Sequence, residues 1–339
     1  MPEHNQTGLV LQGGGALGAY ELGAARRLYR DAAFRPDVIA GVSIGAITAV
    51  LLARPAAGLT PLQALEKFWQ LVTVSGWFLP PAFQQYASIF GNPNFYAARH
   101  DVLNLPNWTY IYDTTPLLDT LRQLVNVEAL ADPRATPRLM VSATDITQGQ
   151  ITYFDSADHG LTLDHIRASG SLPPSFPATT IDGVAYWDGG LFDNTPLGAV
   201  IDRLQPAPGA KRVVYVVNLF PNRTALPRNM LEVYEHLSNL QFANKTYEDV
   251  KLMRRFNEVV ALVEALDKLP KDDPAFSNQD FKAAFAAVKS QEYVAVPDII
   301  EITRPELVGG TDGSDFSADT IEKRAAEGYR QAERALRER

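Results

Sequence analysis

Between Gly8 and Pro55 the chain runs twice from a short apolar segment, through small residues, into a helical pattern. GLVLQ (Gly8 to Gln12) reads as a buried strand. Leu17, Tyr20, Ala24 and Leu28 then recur at intervals of three or four, the spacing of one helix face. Val38 to Val42 reads as a second strand, Ser43 stands at the turn, and Ile44 to Leu52 read as a helix that Pro55 stops. Repeated strand, small-residue turn and helix is the opening of an α/β fold. Later segments agree: Arg138 to Ile146 reads as a buried strand with Ile151 to Asp155 beside it, and TTIDGVAYWDGGLFDNTPL reads as a hairpin or two short strands carrying a tight turn. KRVVYVVNLF (Lys211 to Phe220) is a β-branched run of the kind found in sheets covered on both faces.

Residues 60–135 differ in being rich in aromatics and prolines, among them Trp69, Trp77, Phe78, Phe83, Tyr86, Phe90, Phe95, Tyr96 and Trp108. They read as a mixed helical insert beside the sheet. Its aromatics fit either a second small core or the lining of an acyl pocket or lipid-facing lid. LTLDHIRASGSLPPSF holds a short helix ended by Gly170 and the paired Pro173 and Pro174. Asn229 to Leu269 is long and helical, with Val250, Met253, Phe256, Val260, Val263 and Leu266 on one stripe. DIIEIT (Asp298 to Thr303) is a late strand, and residues 309–313 a glycine-rich loop. SADTIEKRAAEGYRQAERAL is an amphipathic helix in which Asp319 and Glu322 have capping-box spacing. The expected organisation is a catalytic unit over 1–228, with the insert at about 60–135, and a mostly helical extension over 229–339 packed on it.

Composition narrows the function. The net charge is −8 and there is no basic run interleaved with aromatics, which speaks against a nucleic-acid partner. The acidity also speaks against electrostatic attachment to anionic lipid, while leaving apolar contact with lipid open. The chain has no cysteine, hence no disulfide, thiol nucleophile or thiolate metal site. The first residues lack the basic start, apolar run and cleavage site of a secretory leader, and no stretch approaches eighteen apolar residues. A cytoplasmic protein is expected, with peripheral contact with a membrane left open and the oligomeric state unassigned.

Gly41-Val42-Ser43-Ile44-Gly45 carries the chemistry. G-x-S-x-G gains meaning from a strand before and a helix after, because the tight turn then lifts the serine hydroxyl out of the sheet. A serine also needs a base. Five histidines are present, His4, His100, His159, His165 and His236, and only His236 falls late enough for the usual order of a triad, inside a helical stretch. The better partner is Asp188 of Trp187-Asp188-Gly189-Gly190, a carboxylate at a sterically open turn, though on residue types alone this is equally a plain turn. Asp193 reads as a turn-fixing residue, and Asp145 and Asp155 as turn or strand-end acids.

Gly13-Gly14-Gly15 follows the first strand and lets the backbone approach a ligand closely. Two uses compete. Gly13, Gly15 and Gly18 satisfy G-x-G-x-x-G, with Asp37 as the acid of a dinucleotide site. The same loop offers successive N–H groups for an oxyanion hole. The serine turn in the adjacent unit favours the second, with the Ile44 N–H at the start of the next helix contributing.

Taken together, LVLQGGGALGAYELG, GVSIGA, RASGSLPPSFPA and DGGLFDNTPL resemble, in order, the motifs of the patatin-like phospholipases, over roughly residues 8–200. The resemblance implies a three-layer α/β sandwich with a central, mostly parallel sheet, a helical insert and a helical C-terminal extension. It implies Ser43 as nucleophile, Asp188 as its base, and Gly13, Gly14 and Gly15 as oxyanion glycines. It implies hydrolysis of phospholipid, lysophospholipid or neutral glycerolipid esters with no metal or other cofactor. Many relatives carry Arg or Lys where this chain has Leu17, which puts phospholipid over neutral ester in doubt; Arg167 is another cation near the SGSLPPSF loop. Acyl transfer by the same dyad, a nucleotide-dependent enzyme and a non-catalytic lipid-binding or scaffold protein are the alternatives.

Overall fold

The computed structural model describes residues 5–74, 87–204, 211–221, 226–270, 273–290, 297–305 and 313–338. Eleven described strands form two sheets. The main sheet has the order β11-β10-β1-β2-β6-β9-β8. Its members are β1 (Gln6–Leu11), β2 (Val38–Gly41), β6 (Arg138–Asp145), β8 (Thr179–Ile181), β9 (Val184–Asp188), β10 (Arg212–Asn218) and β11 (Asp298–Thr303). The strands from β11 to β6 are parallel, and β9 and β8 run antiparallel. β7 (Gln150–Asp155) pairs antiparallel with β6 off this path.

Residue alternation divides the core between the two faces, as the period of a strand requires. Leu9 and Leu11 of β1, and Val213, Tyr215 and Val217 of β10, face one cluster; Val10, Val214 and Val216 face the other. The first cluster is roofed by α1 (Ala19–Leu28), α2 (Ile44–Ala53), α3 (Pro61–Val72), α4 (Thr115–Leu124) and α11 (Ala318–Arg337). The second lies under α8 (Leu197–Ile201) and the Val250 stretch of α9 (Met230–Asp267). Three layers result, with the extension lending a strand and a helix to the same body. The remaining helices are α5 (Val127–Ala131), α6 (Ser156–His159), α7 (Leu163–Ser169) and α10 (Gln279–Lys289).

Two expectations need correction. The insert is not only helical: β3 (Gly91–Asn92), β4 (Tyr96–Ala98) and β5 (Tyr112–Asp113) form a small antiparallel sheet. Its described aromatics mostly form core, since Phe68, Trp69, Phe95 and Tyr96 are buried and Phe95 and Tyr96 pack on Phe176 and Phe316. Trp108 instead lies under the Arg99 guanidinium, and Phe90 is exposed. Trp77, Phe78, Phe83 and Tyr86 lie outside the described residues. The second correction concerns α11, whose N-cap residue is Ser317, which leaves Asp319 in the first turn, paired with Lys323.

Candidate active site

The register of the main sheet builds the site. Gly41, the last residue of β2, faces Val141 of β6, and Asp188, the last residue of β9, faces Ala143 of the same strand. Because β7 occupies the other edge of β6 from Met140 to Asp145, β2 and β9 share one edge and meet end to end. Ser43 lies two residues past Gly41, as Ala143 lies two past Val141, so Ser43 and Asp188 stand at one level.

Ser43 holds φ 56° and ψ −122°, a conformation rare for a residue with a side chain. From Val38 to Arg54 it is the sole residue that is not buried. The flanking glycines make the turn feasible. A β-carbon on Gly41 would fall 2.1 Å from the Gly45 carbonyl oxygen, and one on Gly45 would fall 2.3 Å from the Leu11 oxygen. The Ser43 N–H donates to Ser169 Oγ at 3.0 Å, at the end of α7. Strand, strained turn and helix N-terminus thus present one hydroxyl outward.

The Ser43 hydroxyl stands close enough to the Asp188 carboxylate, which is 3% exposed, to favour its ionised form. Asp188 Oδ1 accepts the Gly190 N–H at 2.7 Å. Burial pushes the carboxyl up to about 6, against the lowering effect of the Ser43 hydroxyl and the Gly190 N–H. Its main chain is fixed from two sides. The Asp188 N–H donates to Ser171 O at 3.0 Å, and Thr144 Oγ1 donates to Asp188 O at 2.8 Å. Gly189 and Gly190 are therefore more than turn residues: no β-carbon at Gly189 would clear Ser142 O, 2.5 Å away.

The glycine loop abuts the serine. The position of a β-carbon on Gly13 lies 3.0 Å from Ser43 Cβ and 2.4 Å from Asn194 Oδ1. Asn194 Nδ2 donates to Gly13 O at 3.0 Å. The N–H groups of Gly14, Gly15 and Ile44 have no acceptor among the described residues. All the residues singled out in the sequence, Ser43, Asp188, Gly13, Gly14, Gly15 and Ile44, thus belong to three turns at the same end of neighbouring strands. Sequence reading missed Ser169 and Asn194, which act on backbone atoms and so leave no spacing signature.

The other candidates are engaged elsewhere. Asp37 accepts the Thr7 N–H at 2.7 Å near the start of β1, the opposite end from the glycine loop, so it is not placed for a ribose. His165 Nδ1 accepts the Thr162 N–H, its ring packs on Phe154, and burial lowers its pKa. Asp193 accepts from Tyr153 and from the Thr195 N–H, a turn-fixing role. Asp145 gathers Thr147 and Gln148, and Asp155 pairs with Arg138 and Arg203. Arg167 pairs with Asp164, and Leu17 is buried in the main core. Among the described residues no group of three or more His, Asp or Glu side chains is placed to hold a metal ion, and no helix is long and apolar enough to cross a membrane.

The serine turn and the glycine loop thus stand at adjoining strand ends of one sheet. The chain belongs to the patatin-like phospholipase family, whose model matches residues 9–201. Among solved structures it is similar to VipD from Legionella pneumophila, at 17% identity and a TM-score of 0.41, covering 99% of this chain and 67% of that one. It is similar to the type III effector ExoU, at 13% identity and a TM-score of 0.40, over 99% of this chain and 53% of that one. A further similar chain comes from the ExoU–SpcU complex of the Pseudomonas aeruginosa type III secretion system, at 16% identity and a TM-score of 0.34, over 96% of this chain and 75% of that one. No curated protein matches the chain.

Proposed function

We propose that the protein is a serine acyl hydrolase that cleaves carboxylic esters of lipids through an acyl-Ser43 intermediate, with Asp188 as the base. The observation that carries this reading is the outward Ser43 hydroxyl beside a buried carboxylate, Asp188, whose pKa is pushed up to about 6. A base of that strength is ionised at neutral pH yet basic enough to accept a proton in the transition state. Leu172 and Phe192, on either side of Asp188 in the chain, are exposed and apolar, which suits an acyl chain at the site.

Ser43 Oγ attacks the ester carbonyl carbon while its proton passes to Asp188. Negative charge collects on the former carbonyl oxygen, where the N–H groups of Gly14, Gly15 and Ile44 receive it; one such donor is worth about 2.7–4 kcal/mol. The C–O bond to the alcohol breaks, and the leaving oxygen takes the proton from Asp188. Water then attacks acyl-Ser43, loses a proton to Asp188, and the fatty acid departs as the serine is reprotonated. Delivery of the acyl group to an alcohol instead of water would use the same residues.

The test is hydrolysis of a p-nitrophenyl acyl ester series by the wild-type protein, Ser43→Ala and Asp188→Asn, without added metal. Turnover confined to the wild type, with all three folded, is the expected result and ranks acyl length. Turnover that survives Ser43→Ala would sink the mechanism.

A further inference from the structure

We propose that Arg324 is a positioning residue of the glycine loop, one that orients and polarises the Gly15 N–H from the far end of the chain. The inference rests on the oxyanion role proposed above and assigns it a second layer of control, beyond the residues that the family model matches.

A loop of consecutive glycines has no side chains with which to hold itself, so its peptide planes are set by whatever its backbone atoms bond. Ala16, at the end of the loop, is gripped on both sides. Its N–H donates to Gly313 O at 2.8 Å, and its carbonyl accepts from Arg324 Nη1 at 3.0 Å. The same nitrogen donates to Asp315 O at 3.1 Å, tying the loop to the segment that leads into α11. Gly15 itself has φ +58°, and Gly313 O lies 2.4 Å from where its β-carbon would be.

The bonds form a chain that ends at the site. Arg324 donates to Ala16 O; the N–H of that peptide group, on Leu17, donates to Gly14 O at 3.1 Å. The N–H on the far side of the Gly14 carbonyl belongs to Gly15. Each peptide group polarised at its oxygen becomes a stronger donor at its nitrogen, so a guanidinium charge at one end strengthens the N–H at the other. Asn194 acts alike one peptide earlier, through Gly13 O to the Gly14 N–H.

The clasp is rigid. Asp315 accepts the Ser317 N–H at 2.9 Å and Thr320 Oγ1 at 2.7 Å. Phe316 is buried against Trp69 and Phe95, and its carbonyl accepts the Val74 N–H at 2.8 Å. α11 lies on α1 backbone to backbone: a β-carbon on Gly23 would meet Ala325 O at 1.8 Å, and one on Gly328 would meet Tyr20 O at 1.9 Å. Arg324 cannot drift without moving that contact.

The experiment compares wild type, Arg324→Gln and Arg324→Lys by kcat and KM on a p-nitrophenyl ester, and by amide hydrogen exchange over residues 13–17. Because the donor acts on charge present in the transition state, kcat should fall about 30-fold in the glutamine variant and about 5-fold in the lysine variant, with KM within about twofold. Exchange at Ala16 and Leu17, whose N–H groups are bonded to Gly313 O and Gly14 O, should quicken in both variants while α2 keeps its protection. If the glutamine variant does not fold, the lysine variant decides on the same two readouts. A folded variant with wild-type kcat, or a loss carried by KM alone, overturns the proposal. If instead the wild type shows no Ser43-dependent turnover, the hydrolase reading has failed; the exchange measurement then decides on its own whether Arg324 holds the loop, unchanged exchange overturning the proposal.

Discussion

Asp188 pairs with Ala143 of β6 and Gly41, two residues before Ser43, pairs with Val141 of the same strand, so one strand sets the distance between the serine turn and the buried carboxylate. The carboxylate can take a proton only when ionised. The rate should therefore rise with pH through about 6, the value to which burial pushes Asp188, and level off above it. A pH profile of kcat/KM checks this; a profile flat from pH 5 to 8 would remove Asp188 from the role of base.

The same shift has a cost in stability. A carboxyl with a raised folded pKa contributes stability below its unfolded value and loses it as pH rises through the folded one. Asp188→Asn should thus unfold at a higher temperature than wild type at pH 8, by a free energy on the order of 3 kcal/mol, and differ little at pH 4. Thermal unfolding at the two pH values decides it.

Ser43 keeps a positive φ that a β-carbon disfavours. Ser43→Gly and Ser43→Ala should both be inactive, but the glycine variant should be more stable than the alanine variant by about 1–2 kcal/mol, the size of the backbone strain relieved. Equal unfolding midpoints for the two would argue that the turn is unstrained.

Glu21 of α1 is wholly buried; Thr48 Oγ1 donates to its Oε2 at 2.6 Å, and Oε1 has no partner among the described residues. Burial raises its pKa well above the carboxylate range, with the Thr48 bond acting the other way. Its contribution is therefore present below the unfolded pKa and is lost as pH rises. Glu21→Gln should flatten the decline of the unfolding midpoint between pH 5 and 8. A parallel decline in both proteins would show that Glu21 is ionised in the fold.

Arg54, at the end of α2, donates to four carbonyls: Ala129 and Ala53 at 2.9 and 3.0 Å, Pro137 and Ala135 at 2.8 Å each. A lysine cannot reproduce that fork. Arg54→Lys should cost more than about 3 kcal/mol, since several buried carbonyls lose their donor. Urea unfolding measures it, and a loss below about 1 kcal/mol would mean that water replaces the guanidinium.

Much of the fold was legible because its signals are local. The runs before Gly13 and Ser43 are apolar, their turns are glycine-rich, and the helices after them carry the period of one face, so the α/β opening is visible in fifty residues. Ser43 and Asp188 stood out because glycines flank them where backbone passes within contact of backbone. Strands β3, β4 and β5 escaped notice because two or three residues leave no alternation to read. The start of α11 was misplaced by two residues because Ser317 and Asp319 are both good caps, and the choice is made by Asp315 and Phe316 anchoring the approach. Ser169 and Arg324 act on main-chain atoms far away in sequence, and a hydrogen bond to a backbone atom constrains no partner side chain.

The meeting of α1 and α11 at Gly23 and Gly328 also sets an order of assembly. A ribosome makes α1 long before α11, so the apolar face of α1 lacks that partner while the intervening chain is made. Until then the nascent chain offers Tyr20, Ala24 and Leu28 to any chaperone or neighbouring chain. Closure across so long a stretch is slow. The glycine loop gains its clasp on Ala16 only after α11 has been made, so the turn beside Ser43 is fixed late, by a segment some three hundred residues away.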